Sequence, residues 1–136
     1  MVKIKTSKGN ILINPDNIVA IKSNDAGDGI EIMFTNTGTL KREYYNSDIT
    51  FDEVYKSLGE VNNNFIKLKT CLRYRSDTFH DTLINRHKIE LVNYYDEEGS
   101  TLTVISTEVY QFTTDSTVDE IEDMIKIKKS LPGRLL

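Results

Sequence analysis

Two histidines, His80 and His87, lie seven residues apart with Asp81 beside the first, the beginning of a ligand set for a hydrolytic metal ion. Metal phosphohydrolase centres need further His and Asp ligands, and this chain has only these two histidines. A small metal hydrolase centred on His80, Asp81 and His87 is therefore the competing enzyme reading, and ordinary surface or loop histidines are the favoured one. Cys71 is the single cysteine, which excludes an internal disulfide framework and any multi-cysteine zinc or iron–sulfur site. A reactive thiol needs a depressed pKa, and the only cationic support on offer is Lys69 and Arg73, two residues to either side. Cys71 is read as structural. The run Asp25-Ala26-Gly27-Asp28-Gly29 looks like a calcium loop, but counted from Asn24 the third ligand position is Ala26 and the terminal glutamate position is Thr35, so it reads as a turn. No glycine-rich phosphate loop and no G-x-S-x-G elbow occurs. No catalytic residue, metal or cofactor is expected.

The residues that point to binding are basic. Residues 65 to 75 carry four basic groups and no acid, whereas residues 96 to 123 carry nine acids and no Lys or Arg. If Ile66 to Arg75 runs as one strand, Ile66, Leu68, Leu72 and Tyr74 face the core. Lys67, Lys69, Arg73 and Arg75 then line the opposite face at a spacing of two. Such a row could follow a phosphate backbone. A row of like charges is destabilising unless neutralised, so it is expected instead to meet carboxylates, either of this chain or of a partner. The net charge of −4 argues in the same direction, because nucleic-acid binders are usually basic overall.

These residues have to be positioned by a β-rich scaffold. Ile, Val and Thr make 37 of the 136 residues and Ala only two, so residues suited to strands outweigh the best helix former. The length suits one compact domain, and no apolar run reaches the roughly 20 residues of a membrane helix. The first residues, MVKIKTSKGN, lack the apolar stretch of a signal peptide. The expected location is the cytoplasm, or a virion assembled in the bacterial cytoplasm, with no membrane partner.

Three blocks recur in the same order. Val2 to Thr6 (VKIKT) matches Ile66 to Thr70 (IKLKT), Leu12 to Asn14 (LIN) matches Leu83 to Asn85, and Thr50 to Leu58 (TFDEVYKSL) matches Thr117 to Ile125 (TVDEIEDMI). The offsets are 64, 71 and 67 and change only where turns lie, which points to tandem duplication. The expected organisation is a first unit over 1–58, a linker over 59–64, a second unit over 65–125, and a basic helix end and tail over 126–136. Each unit alone would bury too little surface to be robust, so the two should pack as one domain.

The fold class expected is α+β, each unit having four to five mostly antiparallel strands and one short helix. Alternation marks strands at Val2 to Thr6, Ile11 to Ile13, Ile18 to Ile21, Ile30 to Phe34 and Leu40 to Tyr45. Thr50 with Glu53, and Thr117 with Glu120, form capping boxes that open the two helices. Phe51, Val54 and Leu58 should face the core in the first, Val118, Ile121 and Ile125 in the second, and Pro132-Gly133 should end the latter.

The unit, with its first strand, its Leu-Ile-Asn turn followed by Ile18 or Ile89, its alternating hairpin and its Asp-Glu-Val helix, resembles the small bacterial FlbD-like proteins. That resemblance implies a non-catalytic module of flagellar assembly. Residues Ile18 to Leu58, with Asn64 to Ile89 as a closing strand pair, are also similar to the LytTR DNA-binding domain, which implies a nucleic-acid-binding regulator using the basic strand over 67–75. Ile, Lys, Asn, Tyr and Phe total 50 residues, an AT-rich codon bias shared by many low-GC bacteria and their phages. The expectation is a non-enzymatic module that binds protein partners or its own copies, as a structural or accessory component of a bacteriophage virion or another large bacterial assembly. The regulator is the alternative.

Overall fold

The computed structural model describes residues 1–6, 9–23, 29–36, 39–46, 49–61, 64–71, 78–94 and 102–134. Strands β1 (Val2–Thr6) and β2 (Gly9–Ile13) are followed by a 3-10 turn at Pro15–Asn17, then β3 (Ile18–Ser23), β4 (Gly29–Asn36), β5 (Thr39–Asn46) and helix α1 (Phe51–Val61). The same succession then recurs: β6 (Phe65–Cys71), β7 (Phe79–Asn85), a 3-10 turn at Arg86–Lys88, β8 (Ile89–Tyr94), β9 (Thr103–Thr107), β10 (Gln111–Thr114) and helix α2 (Val118–Arg134). Every described strand pair is antiparallel.

The strands form two sheets. One is the β1–β2 hairpin; the other has eight strands in the order β5-β4-β3-β7-β6-β10-β9-β8. Because successive side chains on a strand point to opposite faces, the large sheet carries a core on each side. On one face Ile18, Ile21, Ile30, Ile32 and Leu83 pack under the β1–β2 hairpin (Val2, Ile4) and helix α1 (Phe51, Val54, Leu58). On the other, Ala20, Met33, Ile66, Ile84, Ile105 and Phe112 pack with Ile121 of α2. The sheet curls over this second core. Arg42 of β5 lies 4.8 Å from the ring of Tyr110 in the β9–β10 turn, although four strands separate β5 from β10.

Both helices begin as their capping boxes require. Glu53 N donates to Thr50 Oγ1 at 3.2 Å and Glu120 N to Thr117 Oγ1 at 3.1 Å, and in the second box Thr117 N also donates to Glu120 Oε1 at 2.8 Å. Ile49 and Val54 are buried together beneath the first of these turns.

The helix ends depart from expectation. Helix α1 runs to Val61, three residues into the stretch read as a linker, because one Gly costs only about 1 kcal/mol in a helix and does not terminate it. Helix α2 passes through Pro132 and Gly133 to Arg134: a proline removes the single N–H bond to the carbonyl four residues before it, which weakens a helix without obliging it to stop. Its buried stripe is Ile121 with partly buried Met124 and Ile125, at spacings of three and four, while Val118 is exposed. The described part of the basic strand is β6, which reaches Cys71 with Thr70 on the inward side; Leu72, Arg73, Tyr74 and Arg75 lie outside the described residues, as do residues 24–28 of the supposed calcium-like loop.

The two halves share details finer than element order. Asn14 and Asn85 cap the two 3-10 turns with nearly equal backbone angles, φ −80° and ψ 111° against φ −70° and ψ 113°. The β3–β4 ladder shifts register between Ile18 and Ala20, and the β8–β9 ladder shifts between Ile89 and Leu91, the same place 71 residues on. One difference is equally clear. β6 pairs with β10 inside the second half, whereas β1 and β2 stand apart from the large sheet and cover its face.

Candidate functional site

The basic row begins where β6 leaves the core. Phe65, Ile66 and Leu68 are buried, and Lys67 and Lys69 are exposed on the face that carries the α1 core. Helix α1 supplies Lys67 with its surroundings: Phe51 and Tyr55, one turn apart, stack with centroids 6.5 Å apart and planes 18° from parallel. Lys67 Nζ lies 4.8 Å from the Tyr55 centroid and 5.9 Å from that of Phe51, within cation–π range. Directly across the β6–β7 ladder, Lys69 is opposite Asp81. The described half of the row thus has an aromatic neighbour and an acidic one from the chain itself.

The histidines and Cys71 are held apart. His80 and Asp81 are consecutive on β7 and so project to opposite faces of the sheet, His80 opposite Thr70. His87 is exposed in the second 3-10 turn, beyond the far end of the strand and more than about 15 Å away at strand rise. Among the described residues no group of three or more His, Cys, Asp or Glu converges. Cys71 is buried at the end of β6, opposite Phe79 on one side and Thr113 on the other.

Residues that sequence reasoning did not single out define the more distinctive features. Thr70 and Thr82, buried between β6 and β7, share a hydroxyl hydrogen bond of 2.8 Å, and Thr114 Oγ1 donates to Lys69 O at 2.6 Å. These bonds satisfy the polar side of β6 and fix its register beside β10. Glu31, buried in β4, has one carboxylate oxygen without a protein partner and lies across the ladder from Lys22. Asn85 is the polar junction between halves. Its Oδ1 accepts from His87 N at 3.0 Å, while Nδ2 donates to Ile18 O at 2.9 Å and Pro15 O at 3.4 Å.

Exposed apolar side chains gather on strands with an open side. Leu12 on β2 is 62% exposed, and Leu91 and Tyr94 on β8 are 55% and 72% exposed. β8 terminates the large sheet, and β2 pairs only with β1 among the described residues. Beside β2 lies a groove of about 510 Å³ lined by Met1, Ile11, Leu12, Ile13, Ile32 and Phe34. An alternating pattern places Leu12 outward whenever Ile11 and Ile13 face the core, so this signal was legible in the sequence; that β8 is an edge was not.

No known protein family, curated protein or solved structure matches this chain. None of its helices, among the described residues, is long and apolar enough to cross a membrane.

Proposed function

We propose that this chain is a non-catalytic assembly module, built from two copies of one unit, which joins protein partners in a phage virion or a comparable bacterial assembly. The observation that carries this reading is the coincidence of open strand edges with exposed apolar side chains, Leu12 on β2 and Leu91 and Tyr94 on β8. An unpaired edge offers a row of backbone donors and acceptors, and apolar side chains beside it supply the burial that makes strand addition selective. The surroundings of Lys67 and Lys69 lend further support, since Phe51 and Tyr55 lie beside the first and Asp81 is opposite the second. The shared succession of elements and the 71-residue spacing of the capping asparagines support descent of both halves from one unit, as the likeness of each half to the FlbD-like pattern also suggests.

Two measurements test the reading. The mass of native complexes containing the protein should show it in fixed stoichiometry with protein partners or its own copies. DNA or RNA binding by the isolated chain should remain in the ordinary non-specific range at about 150 mM salt. Submicromolar binding that falls steeply with salt, and that charge reversal at Lys67, Lys69, Arg73 and Arg75 abolishes, would replace this reading with that of a nucleic-acid-binding regulator.

A further inference from the structure

Among the described residues the two halves are joined by one ladder, and its counterpart is open. β3 of the first half pairs with β7 of the second: Ala20 is opposite Ile84, Ile21 opposite Leu83, and Lys22 opposite Thr82. In the succession of elements, the counterpart of β3 in the second half is β8, and the counterpart of β7 in the first half is β2. Among the described residues both of these strands are edges. The other two outer strands, β1 and β5, correspond to β6 and β10, which pair inside their own half and so do not join halves.

We propose that β8 of one copy pairs antiparallel with β2 of the next, with Leu91 opposite Ile13, Val92 opposite Leu12 and Asn93 opposite Ile11, linking copies head to tail. This inference rests on the assembly reading above and names its partner, a second copy of this chain. The register is the internal one moved by 71 residues at each strand, the spacing that relates Asn14 to Asn85 and Ile18 to Ile89.

Side-chain chemistry agrees at the first two pairs. In the internal ladder Leu83 reaches across to complete the first core beside Ile21, and Ala20 completes the second core beside Ile84. In the proposed ladder Leu12 of the next copy takes the place of Leu83. It meets Val92, which already packs against the second core. Leu91 takes the place of Ala20 and meets Ile13, which lines the apolar groove beside β2. Two side chains that are now 62% and 55% exposed are thereby buried. The polar junction agrees as well. Asn85 Nδ2 donates to Ile18 O and Pro15 O across the internal ladder. Asn14 has the same cap geometry, with Oδ1 accepting from Asp16 N at 3.1 Å, and its Nδ2 has no acceptor among the described residues. Moved by the same spacing, its acceptors are Ile89 O and Arg86 O of the neighbouring copy.

Such an interface uses different surfaces on its two sides, so it propagates into a ring or a filament rather than stopping at a dimer. The test therefore blocks one side at a time. Leu12→Lys disables β2 and leaves β8 open; Leu91→Lys does the reverse. Both positions are exposed, so the circular dichroism spectrum should match that of the parent chain, and thermal melting should match it at concentrations low enough to dissociate the parent. Light scattering of the full-length parent should show species larger than a dimer that grow with concentration. Each variant alone should be monomeric, and an equimolar mixture should form a one-to-one heterodimer and nothing larger. A parent chain that stays monomeric overturns the proposal, as does a Leu12→Lys variant that dimerises through β8 alone or a mixture that does not associate. If the parent forms multimers that neither substitution changes, the head-to-tail ladder is wrong and the assembly reading survives. If the parent is monomeric and instead binds nucleic acid at submicromolar levels, both fail.

Discussion

Strands β3 and β8 follow the same kind of 3-10 turn, carry the same asparagine cap before it and break register at the same position, yet one is the centre of the molecule and the other its rim. Ile18, Val19, Ala20 and Ile21 are buried almost completely, because β3 is paired on both sides and has a core on each face. In β8, Glu90 and Leu91 are exposed, and only Ile89 and Val92 are partly covered. Local structure is thus indifferent to neighbours across the sheet, whereas burial depends on little else. Glu90 at the bulge, where β3 has Val19, is the kind of charge that keeps an edge strand from pairing indiscriminately.

Matched substitutions at equivalent positions of the two halves should have unequal effects. The largest difference is expected at the leucine pair. Leu83→Ala should destabilise by about 3 kcal/mol in denaturant melts, because it opens a cavity beside Ile21 in the first core. Leu12→Ala, its counterpart, should cost less than about 0.5 kcal/mol in dilute solution, since the side chain is already in water. Equal losses would mean that β2 is covered in the monomer.

The asparagines should differ by less. Asn85→Ala removes a cap and strips Ile18 O of its buried donor, which should cost about 2 kcal/mol, whereas Asn14→Ala loses only a cap worth about 1 kcal/mol. Amide exchange in the turn after each asparagine would locate the loss. Thr50→Ala and Thr117→Ala provide the symmetric control: each should lower stability by about 1 kcal/mol, because each removes the acceptor for the N–H three residues on. A large disparity would show that one helix is held by its cap and the other by packing alone. The smallest effect belongs to Lys67→Gln, about 0.5 kcal/mol from the lost cation–π contact, read as a small shift in the melting midpoint and a change in Tyr55 fluorescence.

Much of this architecture was readable from the chain. Leu12-Ile13-Asn14 and Leu83-Ile84-Asn85 announced two equivalent strand ends, and Thr50-x-x-Glu53 and Thr117-x-x-Glu120 announced two helix starts, because those features are satisfied by groups within a few residues. The alternation that exposes Lys67 and Lys69 was equally local. The helix ends were less legible. Gly59 and Pro132 weaken a helix without obliging it to stop, and packing elsewhere along α1 and α2 offsets their cost.

What belongs to the sequence by itself is therefore the succession of elements, their caps, and the division of each strand into an inward and an outward side. Tertiary structure alone decided that β3 and β7 meet while β2 and β8 do not, that Asn85 is a buried junction and Asn14 an exposed one, and that Lys67 comes to rest over Phe51 and Tyr55. The physical reason is one of range. Hydrogen-bonded turns and side-chain alternation are set by neighbours a few residues away, but whether a strand is central or terminal depends on partners some 60 residues distant, as Ala20 and Ile84 are, and identical tripeptides such as Leu12-Ile13-Asn14 and Leu83-Ile84-Asn85 carry no mark of which will be covered.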